Sequence, residues 1–290
     1  MRFSSIVRQH TAALRALLVF TVILGFGYPL FIWLVAQLPG LRDQANGSII
    51  EADGKPVGSS LIGQSFTDGD GKPLPQYFQS RASNAGDGYD PLATSASNLG
   101  PESIVDTPDK PSLLTLVCQR SAAIGELDGV DATRPFCTGD GVGAVLSVIG
   151  QRDARGNVVH PTKVVSVNEP CDTTPTPFVD TYEGVRVECA KHGQDYSTGQ
   201  IVPVRGAAAA DPQVPADAVT ASGSGLDPDI SLAYADIQIR RVAAARGVSA
   251  DQIRQVVADN SAGRILGFIG EPRVNVLALN IALDEKYPGG

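Results

Sequence analysis

Residues 16–41 read ALLVFTVILGFGYPLFIWLVAQLPGL, a run without one charged side chain. The hydrocarbon core of a bilayer takes about 20 apolar residues in helical form, and this run is long enough. A cleaved leader has a shorter apolar region, about 7–15 residues, and ends at a small-x-small site. Here the run is longer and closes on LPGLRD, so a retained membrane helix is expected over 16–41. The stretch is apolar on every side, which disfavours an ordinary core helix. No ionisable residue lies in it, so this helix is not expected to conduct an ion itself. Gly25, Gly27 and Pro29 stand together in GFGYP. Small residues let a second helix approach and a proline frees a carbonyl, so packing against a neighbouring helix is expected there.

Working outward, Arg2, Arg8 and Arg15 precede the run, and no acid appears before Asp43. The positive-inside rule then places residues 1–15 in the cytoplasm of a bacterial cell and everything after Arg42 outside the inner membrane. This orientation constrains every later motif, because ATP is scarce outside. The net charge of −8, with no long basic run, gives nucleic-acid binding little support.

The outer part mixes strand and helix signals, so the expected class is α+β: one membrane helix followed by a mixed α/β domain. Short strands are expected at Ser48–Glu51 and Ser60–Ile62, separated by Asp-Gly and Gly turns. Asn46-Gly47-Ser48 reads as a turn rather than a glycosylation site. Asp68-Gly69-Asp70-Gly71 lacks most of the ligands of a calcium loop and reads as a loop tip. A helix is expected from Ser112 to Leu127. Between about 128 and 210 the texture changes to short β-prone runs at 144–149, 163–167 and 184–188, among Pro, Gly and Thr. Cys118, Cys137, Cys171 and Cys189 all lie in or beside this region. Outside the cytoplasm four cysteines make two disulfides more often than a metal site, which weighs against zinc on Cys189-x-x-His192. Three pairings are possible, of which Cys118–Cys137 with Cys171–Cys189 closes the shortest loops.

The last part is the most regular. Asp227 suits an N-cap and Pro228 a first helical position, for a helix running through ISLAYADIQIRRVAAAR to Gly247, with Asp236 and Arg240 as an i,i+4 pair. Ser249 and Gln252 form a capping box for the next helix. The stretch 274–284 alternates like a strand but has Asn275 as a cap, and of the two signals the helix is weakly preferred.

Enzymatic motifs are weak. Ser224 lies in SGSGLDP, which is not G-x-S-x-G, and no Walker loop occurs. Gly139–Ala144 matches G-x-G-x-x-A but precedes a strand, so it reads as a turn. No catalytic or metal-binding residue is assigned. The stretch TASGSGLDPDIS (220–231) is expected to be a docking and helix-positioning loop through Ser222, Gly223, Ser224, Gly225, Asp227 and Asp229, with both glycines free to take positive φ.

Read together, the glycine-preceded YPL of the membrane helix, ANGSII, GSSLIGQSF, YFQSRAS, SNLGP, VTASGSGLDPDIS, Gln238-x-x-RVAAARG and GEPRVNVLALNIALD resemble the C subunit of Kdp-type potassium-transporting ATPases. The resemblance covers roughly 14–105 and 212–285. It leaves 128–210 as an inserted β-rich lobe between two parts of the family domain, 42–127 and 211–290. Ser80-Arg81-Ala82-Ser83 lacks the family's proline, and Asp229 stands where many relatives carry histidine.

The resemblance implies a non-catalytic accessory subunit of a potassium pump. Its implied partners are a channel-like potassium-binding subunit, a P-type ATPase subunit, a small one-helix subunit and the lipid bilayer. It further implies a catalytic chaperone that raises the ATPase subunit's affinity for ATP, with a glutamine such as Gln238 involved. The charge asymmetry argues against direct contact with cytoplasmic ATP, so an indirect effect is expected. The alternative is a membrane-anchored enzyme or redox protein working through the cysteine-rich insert, which calls for a reactive thiol.

Overall fold

The computed structural model describes residues 3–94 and 102–288; Arg2 and the SNLGP motif (97–101) lie outside the described residues. The described chain divides into two units, Met1–Leu61 and Ile62–Gly290.

In the first unit an apolar helical stretch, Phe3–Ala36, is long and apolar enough to cross a membrane. It comprises α1 (Phe3–Val22), a π-helical turn (Ile23–Gly27) and α2 (Tyr28–Ala36). The helix stops at Ala36 rather than Leu41. Pro39 cannot continue the ladder and Gly40 turns to φ 86°. A one-turn helix α3 (Arg42–Ala45) follows, then the hairpin β1 (Ile49–Ala52) and β2 (Lys55–Ser59). The second strand thus precedes the expected Ser60–Ile62: Asp53 and Gly54 both take positive φ and close the hairpin in two residues. Gly47 and Ser48 also take positive φ, making Asn46–Ser48 the expected turn.

The second unit holds two hydrophobic cores. One is helical and is built by α4 (Leu113–Asp128), α5 (Ala216–Val219), α6 (Leu232–Arg246), α7 (Ala250–Asp259) and α8 (Val276–Lys286). Phe78, Ile239, Val242, Ile253, Val256, Leu279 and Leu283 fill it. The ends follow local chemistry. Ser112, Ser231, Ser249 and Asn275 each accept a backbone N–H of the first turn, and Gly129 and Gly247 end α4 and α6 in the left-handed region. Ser249 and Gln252 complete the expected capping box. The Asn275 signal prevails over alternation because only Arg273–Asn275 is extended before α8 begins.

The other core belongs to a five-stranded sheet of β3 (Val145–Arg152), β4 (Val158–Pro170), β5 (Thr181–Tyr182), β6 (Val185–Ala190) and β7 (Gln200–Pro203). Its order is β5-β6-β4-β3-β7, antiparallel except for β4 beside β6. Leu146, Val148, Val164 and Val187 face its interior. The pairing Cys118–Cys137 ties α4 to the turn before β3, and Cys171–Cys189 joins the end of β4 to β6. Gly139–Gly143 is the expected turn, closed by Thr138 N–H to the Val142 carbonyl.

A three-stranded ladder, β8 (Asp229–Ser231), β10 (Arg273–Asn275) and β9 (Ser261–Ala262), lies between the helices in sequence, with β10 in the middle. It changes two readings. Pro228 is not the first helical residue and Asp227 is not the cap, because residues 229–231 pair with 273–275 before Ser231 caps α6. Sheet pairing satisfies those backbone groups, so the helix starts four residues later than the Asp-Pro signal implies. Nor do Asp236 and Arg240 pair: no ion pair joins them among the described residues, and the neighbouring Arg241 turns inward instead.

Candidate functional site

The residues that carry the family motifs converge on one irregular segment, Gln76–Ser83. It runs past α6 and α8 without joining a sheet, so its backbone needs partners from side chains. Phe78 N–H donates to Asn280 Oδ1 (2.9 Å), and Asn280 Nδ2 donates back to the Phe78 carbonyl (3.0 Å). One residue on, Gln79 N–H donates to Gln238 Oε1 (2.7 Å), and Gln238 Nε2 donates to the Gln79 carbonyl (3.2 Å). Each amide side chain thus imitates a neighbouring strand. Both are buried, Gln238 completely.

Two arginines of α6 hold the start of the segment. Arg241 donates from Nη1 to the carbonyls of Pro75 and Tyr77, from Nη2 to Gln238 Oε1, and from Nε to Asp128 Oδ1 at 2.7 Å. The side chains of this ion pair are 6% and 1% exposed, so it is closed to water. Burial pushes the Asp128 carboxyl above its ordinary range, while Arg241 pulls it back. Arg246 donates to the carbonyls of Gln76 and Tyr287 and to Asp284, and its guanidinium lies over the Tyr77 ring.

The far end of the segment grips the 220–231 loop. Arg81 donates to the Thr220 carbonyl and pairs with Asp227 at 2.8 Å. Ser83 Oγ donates to the Gly225 carbonyl (2.6 Å), while accepting from Tyr89 N–H. Gly225 has φ +73°, and a Cβ there would meet the Ala85 nitrogen at 2.9 Å. Positive φ and close approach both demand glycine. Gly223 has neither positive φ nor a close neighbour, so the expectation of two left-handed glycines holds at Gly225 alone. The Ser222 and Ser224 hydroxyls accept the N–H groups of Gly225 and Leu226, as in ordinary turns.

Asp227 Oδ1 accepts Asp229 N–H, and Asp229 pairs with Arg273 on β10. Burial pushes the Asp229 carboxyl up; Arg273 opposes this and Asp227 adds to it. The Tyr89 phenol, which donates to the Arg81 carbonyl, is pushed up to about 12 by burial. Of the expected loop residues, only Gly223 and Ser224 form an exposed tip.

Arg81, Asp128, Arg241 and Asn280 were not assigned from sequence. Asn280 had a signal, a lone amide within VLALNIAL. Asp128 had none, since its partner is 113 residues away in sequence.

In the lobe, Glu169 is buried and accepts from Ser166 Oγ and Phe178 N–H. A groove of about 700 Å³ runs beside Cys171 and Cys189, lined by Pro175, Pro177, Arg186, Glu188 and Lys191. All four cysteines are in disulfides, which removes the thiol the redox reading needs and prevents Cys189 from acting as a thiolate ligand.

The family model described as K+-transporting ATPase, c chain (KdpC) matches residues 10–132 and 194–285. Proteins named potassium-transporting ATPase KdpC subunit align over almost the whole chain. One from Kineococcus radiotolerans is 35% identical, covering 99% of each chain. One from Streptomyces coelicolor is 37% identical, covering 98% of this chain and 95% of its own. One from Mycobacterium tuberculosis is 36% identical, covering 96% and 98%. The segment unmatched by the family model, 133–193, is therefore spanned by alignments to relatives of similar length. With the family model matching most of its length, the chain belongs to the KdpC family.

Proposed function

We propose that the chain is a non-catalytic accessory subunit of an ATP-driven potassium pump, anchored by the 3–36 helix with its domain outside the cell. It stabilises assembly with the channel-like, ATP-hydrolysing and one-helix subunits and acts on ATP affinity only through them. The observation that carries the indirect route is the complete burial of Gln238, whose amide is bonded to Gln79 and Arg241. A nucleotide would have to dislodge the 76–83 segment to reach it. The exposed 223–224 tip acts in docking, while the Ser222 and Ser224 hydroxyls serve as turn acceptors.

Purified pump with and without the subunit tests this reading. Adding the subunit should lower the KM for ATP in potassium-stimulated hydrolysis. A photoreactive ATP analogue should label the ATPase subunit and not this chain. Labelling of this chain around Gln238 would overturn the indirect route. Protease added to intact spheroplasts should digest the domain; protection until lysis would overturn the orientation. Ser222→Ala and Ser224→Ala should assemble and turn over normally, and a thousandfold loss in an assembled Ser224→Ala pump would revive a chemical role.

A further inference from the structure

We infer that the π-helical turn Ile23–Gly27 presents an unpaired backbone acceptor, the Leu24 carbonyl, to a hydrogen-bond donor on a membrane helix of a partner subunit. The inference rests on reading the 3–36 stretch as a membrane span of a pump subunit.

In an α-helix the Leu24 carbonyl would accept from Tyr28 N–H. Here Tyr28 N–H donates to the Ile23 carbonyl instead. The next residue able to reach Leu24 in the π pattern is Pro29, which has no N–H. Both intrahelical donors are therefore gone. Pro29 also removes the α-type donor for the Gly25 carbonyl. Leu24 lies about 3 Å along the axis from the middle of the helical part of the apolar run, 16–36, at about 1.5 Å per residue. No water at that depth replaces a lost donor, and an unmet carbonyl in hydrocarbon is costly.

The glycines decide what can reach it. A Cβ on Gly27 would meet only the Val22 carbonyl of its own helix, at 3.7 Å, and one on Gly25 only Thr21, at 3.9 Å. Both positions are open by absence of a side chain, not by crowding. Glycine is thus not needed for the turn's own packing; it clears an approach for a neighbouring backbone. The occupant that satisfies both facts is a closely packed transmembrane helix carrying a hydroxyl, amide, imidazole or indole N–H. A lipid tail would fill the opening but supply no donor.

The test uses the tagged full-length chain produced with its partner subunits. Retention in the complex is measured on dilution in mild detergent, and membrane insertion by resistance to carbonate extraction. Pro29→Ala restores an intrahelical donor and should lower retention about three- to twentyfold, the range of a single interhelical hydrogen bond. Gly27→Leu blocks the approach and should lower it further. Both variants should stay carbonate-resistant. Retention of Pro29→Ala at the wild-type level overturns the inference, even if Gly27→Leu dissociates. A wild-type chain that is extracted by carbonate, or that never co-purifies, sinks the underlying membrane-subunit reading and this inference with it.

Discussion

The helical core and the sheet lobe of the second unit satisfy their backbones in opposite ways. In the lobe, β3 bonds to β4 and β7, and β6 to β4 and β5, so peptide groups answer peptide groups. A side chain there has only to face the right way and fill space. In the core, residues 76–83 lie outside any sheet and are held by Gln238, Asn280, Arg241 and Arg246. Each of those identities is then a chemical requirement. Shortening the amide or removing the guanidinium leaves a buried peptide group without a partner. The match of the family model falls along the same division. Its matched residues include every member of the clamp, and its gap, 133–193, contains β3 to β6.

The sharpest way to break the comparison is at the buried ion pair. Asp128→Ala leaves Arg241 charged in a site closed to water and should cost about 3–5 kcal/mol in urea unfolding of the full chain in detergent. Replacing both partners by apolar residues should recover much of that loss. If Asp128→Ala is neutral, the clamp is not the organising contact of the core. The same pair limits how the lobe can be excised. A deletion joining Leu127 to Ala210 removes Asp128, whereas one kept within 138–193 spares both Asp128 and Cys137. The second deletion should still co-purify with the pump; its failure to do so would place the lobe in the interface.

In the lobe the comparable weak point is covalent. Replacing Cys171 and Cys189 by alanine opens a loop of sequence separation 18 and should cost about 3 kcal/mol. Hydrogen exchange should speed up in residues 158–190 and leave α6 and α8 protected. Equal loosening of both regions would show that the two cores unfold as one.

A smaller effect is expected at the amide clamp. Gln238→Leu keeps the volume but orphans the Gln79 N–H and carbonyl, which on this half-buried residue should cost about 1–3 kcal/mol in total. A structural role also predicts that any change in ATP KM follows the fraction of intact complex. A shift in KM in fully assembled pump would give Gln238 a functional part beyond the clamp.

The smallest effect concerns pH. Burial raises the Asp229 carboxyl above its ordinary value of 3.8. The native state therefore holds that proton more tightly than the unfolded chain does. The stability this contributes is complete below the ordinary value and is lost as pH rises through the raised native one. Relative to Asp229→Asn, the wild type should lose ground as pH climbs through and just above the carboxylate range. The opposite slope would mean that the Arg273 pairing outweighs burial.

Local signals were legible wherever local chemistry decides. The membrane-length apolar run, the helix beginning near Ser112, the caps at Ser249 and Asn275, the stop at Gly247 and the turn at 139–143 each depend on residues within a few positions. Even the disulfide pairing that closes the shortest loops is the one formed. The Asp227-Pro228 cap was misread because its competitor, the pairing of 229–231 with 273–275, lies more than forty residues away. By itself the sequence determined the family, the apolar helix and the α+β class, since composition, periodicity and motif order are properties of the linear chain. Only the tertiary structure decided that Gln238 faces inward onto Gln79, that Asp128 answers Arg241, and that Gly225 rather than Gly223 needs its missing side chain. Those facts depend on which distant groups burial brings within hydrogen-bonding distance, and no local pattern records that.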